Sequence, residues 1–354
     1  MIAQDHLQVY ELKLVTRGPL FIGSGEKTPK KEFIFNARKN TVAFLNEPLF
    51  FDLLIRRGLV DQFEAFCLRP GGDLYVFLFR ECGLMQHEVA PAIRYEVSVG
   101  DAIDAQHSLK DICRFMRDTQ GRAYIPGSSI KGAIRTALLY QAMAGENAET
   151  HMAERELPEW KYLHSLNLNQ RNARDAVNSI MRGIQISDSK PIDDRMFTLV
   201  QKIDSSVTGD THAINLCREC IAPGAAVCLR LTLDQSILKG RITVQSIMDA
   251  INMFAEYGRR AYASHFAPPI NPAPLSGQNT LYIGGGAGFF TKSLAYPYLG
   301  EEQGLVYTSE YLARAFRKHY HDRDKALGIS PRTMKYGRFK GRLYSFGACE
   351  VIIG

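Results

Sequence analysis

Residues Ile125-Pro126-Gly127-Ser128-Ser129-Ile130-Lys131-Gly132-Ala133-Ile134-Arg135-Thr136 gather the types that hold an anion. Pro126-Gly127 forces a turn, and Ser128 is a favoured helix N-cap. With Ser128 as cap, Lys131 falls in the first helical turn and Arg135 one turn on along the same face. A cation there meets the positive end of the helix dipole, a conflict costing a few tenths of a kcal/mol up to about 1. A glutamate at that place would have completed a capping box. An anion at the helix start removes the conflict: free N–H groups, the Ser128 and Ser129 hydroxyls, Lys131 and Arg135 would converge on one phosphate. The plainer alternative extends Lys131 into solvent. This is no Walker A loop, because the second glycine does not immediately precede a Lys-Ser/Thr pair.

A second candidate is Gly284-Gly285-Gly286-Ala287-Gly288-Phe289-Phe290 after a predicted strand. Such glycine density implies close approach of the backbone to something, either RNA backbone or another strand. A dinucleotide fingerprint would need glycine where Phe289 stands, and no appropriate acid follows about 20 residues on. Phe289 and Phe290 present faces that stack on bases, with one of the two expected in the core. Gly23-Ser24-Gly25-Glu26-Lys27 is a smaller glycine turn beside Lys30 and Lys31, unspecific alone. The segment from Glu310 to Arg342 holds ten Lys/Arg against three acids, a local +7 that exceeds the +6 of the whole chain. Such a stripe points to a polyanion, nucleic acid first, with a solvated face as the alternative. Lys335 and Arg338 within it are candidate phosphate contacts.

Catalytic and metal constellations are weak. Cys217-Arg218-Glu219-Cys220 is a single CxxC, whereas zinc needs four ligands. His319-Tyr320-His321-Asp322 looks ligand-like, but on a helix the two histidines diverge. Asp188, Asp193 and Asp194 form an acidic group that reads as a polar loop before it reads as a metal site. No G-x-S-x-G or H-E-x-x-H occurs. No metal, cofactor or enzymatic activity is expected.

The elements that must position these residues follow from composition and period. The chain has 354 residues, 45% apolar and 23% charged, enough for about two domains of roughly 150 residues. No apolar run reaches the ~18 residues that span a bilayer, and the N-terminus lacks a secretory h-region. A cytoplasmic setting with seven reduced cysteines is expected. Strands are predicted at 8–16, 94–99, 183–187, 225–234, 280–283 and 343–353, and hairpins at 32–45 and 197–217. Helices are predicted at 48–57, 60–67, 109–117, 128–144, 243–257 and 309–320. Residues 267–277 are a proline-rich loop. The mixture predicts an α+β protein with antiparallel sheets, the β-α-β-β-α-β unit being the natural candidate.

At Ile125 to Thr136 the sequence resembles the repeat-associated mysterious protein (RAMP) superfamily of CRISPR proteins, whose members carry a closely similar I-P-G-S-S-[IL]-[KR]-G-x-[IL]-R-[TS] segment. Gly18-Pro19-Leu20-Phe21-Ile22-Gly23-Ser24-Gly25, Ile184-Gln185-Ile186-Ser187-Asp188-Ser189, Ser330-Pro331-Arg332-Thr333-Met334-Lys335 and Leu343-Tyr344-Ser345-Phe346-Gly347-Ala348-Cys349 are similar to segments of one member group. That group is the 3′-end subunit of type III-A, Csm-type effector complexes. The resemblance implies two ferredoxin-like, RRM-related domains with glycine-rich loops on guide-RNA backbone. The domains would span 1–183, with a helical insertion at about 146–182, and 184–354, with a thumb-like hairpin at about 197–220. The implied partners are guide RNA (crRNA), the other Csm-type subunits and above all the RAMP backbone subunit, separate host nucleases that trim the guide's 3′ end, and target RNA indirectly. No membrane is implied.

Two rivals remain. A RAMP endoribonuclease would cut precursor crRNA by metal-independent acid–base chemistry, with His87 or His107 beside a Lys or Tyr. A generic nucleotide-binding enzyme would need the glycine fingerprint that fails.

Overall fold

The computed structural model describes residues 6–103, 109, 111–146, 157–273 and 277–354. His107 and the stretch 147–156 of the expected insertion lie outside them. Along the chain run β1 (Leu7–Thr16), β2 (Gly23–Thr28), β3 (Phe33–Asn36), β4 (Thr41–Leu45), α1 (Glu47–Arg56), α2 (Val60–Leu68), β5 (Ile93–Ser98), β6 (Ile112–Phe115), α3 (Gly127–Met143), β7 (Ile184–Ile186), β8 (Phe197–Ser206), β9 (Thr211–Ile221) and β10 (Ala226–Asp234). Then follow α4 (Val244–Ala261), β11 (Thr280–Tyr282), α5 (Ala295–Ala315), β12 (Thr333–Phe339), β13 (Arg342–Ser345) and β14 (Ala348–Ile353).

One sheet has the order β11-β14-β1-β10-β7, with antiparallel neighbours throughout. Within it β1-α3-β7-β10-α4-β14 makes a ferredoxin-like unit in the order 4-1-3-2, and β11 is an added edge. The apolar period explains the fit: Leu12 and Leu14 are fully buried on β1, as are Ile130, Ile134 and Ala137 at three- and four-residue spacing on α3. The second sheet runs β2-β6-β9-β8-β5-β4-β3, with β12 on β8 beyond β5 and β13 on β12. One core joins Leu12, Ile130 and Leu231 to Phe115 and Val200 of this sheet. A satellite core of Phe50, Leu54, Phe66, Leu74 and Phe77 lies under the helical turns between β4 and β5. Each sheet draws strands from both sides of residue 183. The β8–β9 hairpin, expected as a thumb, is paired along both edges: β9 with β6, β8 with β5 and β12.

Local expectations change where tertiary pairing wins over local pattern. The predicted helix 109–117 contains strand β6, because Ile112 and Cys113 pair with Cys217 and Arg218 of β9. The glycine turn at 23–27 is a bulged strand, with Gly25 at φ +92. The predicted strand 343–353 breaks into two at Gly347 (φ +72), where a Cβ would stand 2.1 Å from the Ile283 carbonyl oxygen. The helix expected at 309–320 ends at Ala315 and belongs to the helical stretch Ala295–Ala315, which breaks at Gly300 (φ +79). Pro297 is tolerated because it sits in the first turn, where N–H groups have no helical partner. β12 lies in the basic stretch, where no strand was predicted. In the insertion, the described residues hold only short turns at Glu159–Leu163, Ala176–Asn178 and Ile180–Gly183.

Candidate RNA interface

The two predicted glycine segments meet. Gly285 N–H donates to the Phe21 carbonyl at 2.7 Å. A Cβ on Gly284 (φ +76) would stand 2.2 Å from that same oxygen. Of the two expected reasons for glycine, close approach of another backbone segment therefore accounts for this pair. Gly286 (φ +90) and Gly288 (φ +101) instead adjoin cations. A Cβ at Gly286 would lie 3.2 Å from Arg218 Nη1, and one at Gly288 would lie 3.6 Å from the Phe290 ring and 3.8 Å from the Lys335 Cγ methylene.

Arg218, on β9, lies near the Phe21 and Phe346 rings, 5.3 and 5.5 Å from their centroids. Its Nε and Nη1 are buried with no hydrogen-bond partner among the described residues. A buried unmatched donor costs about 1–3 kcal/mol, more when charged. Lys292 Nζ donates to the Gly284 carbonyl at 2.5 Å, and burial lowers its pKa. Lys335 Nζ donates to Asp204 Oδ2 at 2.8 Å while Lys202 stands 3.2 Å from Oδ1, so two ammoniums share one carboxylate. Burial lowers the Lys335 pKa, with Asp204 partly opposing. Lys27, exposed on β2, pairs in register with Cys113, which pairs with Arg218. That lateral row places Lys27 and Arg218 on one face, about 10 Å apart across two strand spacings. Phe290 packs on Tyr262 with ring centroids 4.7 Å apart, whereas Phe289 lines an open pocket. Arg338 is exposed on β12.

The α3 start differs from its prediction. Pro126, not Ser128, is the N-cap, and no side chain caps the helix in the usual way. The anion there is internal: Asp188 Oδ1 accepts the Gly127 N–H at 2.8 Å, and Ser189 Oγ accepts the Ile125 N–H at 2.9 Å. A Cβ on Gly127 would fall 2.1 Å from the Ile186 carbonyl oxygen. The Ile125–Thr136 and Ile184–Ser189 motifs are thus two halves of one joint. Ser128 is exposed, Ser129 half-buried, and Lys131 half-buried with its pKa lowered by burial. Arg135 is paired with Glu159.

Beneath Ser24 lies a network that the sequence reading missed. Glu219, fully buried, accepts from Tyr95 Oη at 2.9 Å, Phe115 N–H at 3.0 Å, Arg114 Nε at 3.3 Å and Arg117 Nη2 at 2.6 Å. Arg117 also donates to Asp194 at 2.8 Å. Burial opposes the Arg117 charge, yet Glu219 and its other partners raise its pKa overall. Its guanidinium lies 3.7 Å from the Tyr95 ring centroid. A cavity of about 510 Å³ opens beside this network, where Arg94, Arg114 and Arg117 face Glu26, Glu47 and Asp118. Equal numbers of each sign make it a poor phosphate site. The signal available in sequence was a charged Arg218-Glu219 pair inside the otherwise apolar run Leu216 to Ile221.

The remaining candidates have structural occupations. Asp193 is held by Arg195, which pushes its pKa down to about 2, and Asp194 by Arg117. With Asp188 on Gly127, the three acids serve three different partners. Burial pushes the Cys217 thiol up to about 11 and Cys220 well above its ordinary value, which favours thiols over metal-binding thiolates. His319 and His321 do not diverge, because Tyr320 takes φ +52 and the rings lie parallel at 6.0 Å. His321 Nδ1 bonds buried Asp324 at 2.8 Å, which also accepts from Ser330 and Arg332. His87 is exposed on the turn Gln86–Val89, with no Lys or Tyr bonded to it among the described residues.

The β-α-β-β-α-β core in the strand order 4-1-3-2, joined to a second sheet, defines a ferredoxin-like, RRM-related class of fold. The RAMP superfamily model matches residues 13–351, and the chain belongs to that superfamily. It is similar to the CRISPR system Cms protein Csm5 of Mycobacterium tuberculosis (strain CDC 1551 / Oshkosh), 26% identical with 98% of each chain covered. The Csm5 protein of Streptococcus thermophilus is 27% identical, with 82% of this chain and 81% of that protein covered. A chain in the cryo-EM structure of a type III-A Csm-crRNA-target RNA ternary complex shares the fold at TM-score 0.65 and 19% identity, covering 97% of this chain and all (100%) of that one. The T. onnurineus Csm5 crystal structure matches at TM-score 0.61 and 18% identity, over 96% and 99% of the two chains.

Proposed function

We propose that this chain is a subunit of a type III-A Csm complex that binds crRNA near its 3′ end and caps the filament of RAMP backbone subunits. The observation that carries the RNA contact is Arg218. Its buried donors lack partners beneath Gly286, and Lys292 and Lys335 stand at the same loop with Asp204 as the neighbouring acid. An anionic backbone on this loop would offset the Arg218 charge that the described residues leave unpaired, and the glycines let it approach closely. Nearly full-length similarity to the Csm5 proteins supports membership of the complex. On this reading the chain acts in the cytoplasm without catalysis, and host nucleases trim the exposed 3′ end. The β8–β9 hairpin serves as a ledge under the guide. The α3 joint contributes through the exposed Ser128 and half-buried Lys131.

The test is ultraviolet crosslinking of the tagged chain in its host, followed by sequencing of bound RNA. Guide 3′ ends recovered with the native chain and lost with Arg218→Met support the reading. Equal recovery by a folded Arg218→Met variant refutes the loop contact. Cleavage of precursor RNA at a fixed site by the isolated chain refutes the non-catalytic role.

A further inference from the structure

Beside the glycine loop an open pocket of about 420 Å³ is lined by Gly288, Phe289, Lys292, Ser293, Tyr307 and Tyr311. The volume falls within the ~300–1,000 Å³ of small-ligand sites. Three of the six lining residues are aromatic. Tyr307 and Tyr311, one turn apart on α5, hold their rings within 11° of parallel at 6.3 Å. Neither ring is spent on the core: Tyr311 is 50% exposed, and Tyr307 is half-buried. Lys292 ties the pocket to the loop through its bond to the Gly284 carbonyl.

We infer that this pocket receives one unpaired base of the RNA strand whose phosphates lie on the Gly284–Gly288 loop. The inference rests on the RNA-binding reading above and adds a place for the base. A flat, polar-edged ring satisfies stacking on the Phe289 and Tyr faces. Its edge also offers acceptors to the Ser293 hydroxyl and to the Lys292 ammonium, beyond the bond that ammonium makes to the Gly284 carbonyl, which an aliphatic side chain cannot do. The aromatic faces stack on any base, so recognition is sequence-tolerant. A subunit that meets guides of every sequence requires that tolerance.

The test uses the full chain and single-stranded oligoribonucleotides carrying 2-aminopurine at successive positions. One position is expected to be quenched on binding. The double variant Tyr307→Leu/Tyr311→Leu restores its fluorescence and weakens binding roughly tenfold. An abasic nucleotide at that position gives the same loss with the protein unaltered, and no further loss with the double variant. Even fluorescence along a strand that still binds, with Arg218→Met still lowering affinity, overturns the pocket but leaves the loop contact standing. If no oligoribonucleotide binds, both readings fail. If the double variant instead releases a co-purifying protein subunit while quenching persists, the pocket belongs to a protein partner and the inference is overturned.

Discussion

Arg218 and Glu219 are adjacent on one strand and therefore point to opposite faces, which allows structural and functional roles to be separated by mutation. Glu219→Ala removes the acceptor of four hydrogen bonds and leaves Arg117, whose side chain is 8% exposed, with Asp194 as its remaining carboxylate. Removing one partner of a buried ion pair costs about 3–5 kcal/mol. The Phe115 N–H loses its acceptor as well, and because these losses are not additive about 4 kcal/mol is the working figure. Glu219→Gln keeps the shape and one acceptor, and costs about 2 kcal/mol. Arg218→Met behaves oppositely: it deletes donors that are already buried and unmatched, so stability holds or rises while RNA affinity falls. Urea unfolding measures the first pair and fluorescence anisotropy with single-stranded RNA the second. A loss below about 1 kcal/mol for Glu219→Ala would refute the anchor role. Loss of RNA affinity by fully folded Glu219→Ala would refute the division of faces.

Three further outcomes follow from the geometry. Gly284→Ala and Gly127→Ala force a Cβ to within 2.2 and 2.1 Å of carbonyl oxygens and should lower the melting temperature, whereas Gly132→Ala, with nothing within 4 Å, should raise stability by about 0.5–1 kcal/mol. Asp188→Asn should cost about 1 kcal/mol by removing the anion from the α3 N-terminus. Unchanged RNA affinity in that variant means the slot is filled from within, and tighter binding means RNA phosphate competes for it. Lys292 and Lys335 have pKa values lowered by burial from the ordinary 10.5. Bound phosphate favours their charged forms, so RNA affinity should be full at neutral pH and fall as pH rises through the lowered values. Folding stability moves the other way in that window, because the unfolded chain binds more protons there and loses them later. Anisotropy and melting curves over the same pH range separate the two effects, and Lys292→Arg should flatten the first.

Much of the scaffold was legible because its signals are local. β1, the 33–45 hairpin, α3, β10 and α4 each carry an apolar period that survives into the fold. β6 was not legible, since four residues cannot establish a period and its conformation is set by β2 and β9. The candidate site divides the same way. Glycines at Gly284–Gly288 announced a close approach, but only the fold shows that Phe21 takes one side. On sequence alone the dipole conflict at Lys131 calls for a phosphate at a helix capped by Ser128, whereas the helix starts from Pro126 and its Gly127 N–H is taken by a carboxylate of the chain itself. That carboxylate comes from Asp188, 61 residues beyond Gly127, and no spacing rule reaches that far.

Formal charge misleads for a related reason. The basic stretch after Glu310 owes its +7 to counting, yet Lys325 is paired with Glu310, Arg332 with Asp324 and Lys335 with Asp204. Pairing of this kind costs little where side chains are exposed, and it screens the stripe without fixing where RNA lies. Arg218 contributes one charge from a strand with an acid next to it and was invisible to the count. Its guanidinium is nonetheless held between two rings with donors unmatched, so desolvation strengthens whatever anion reaches it. A phosphate gains more from one such half-buried cation than from several solvated ones. On the proposed RNA-binding reading, binding energy would concentrate on β9 under the glycine loop, rather than on the segment where lysines and arginines are most numerous.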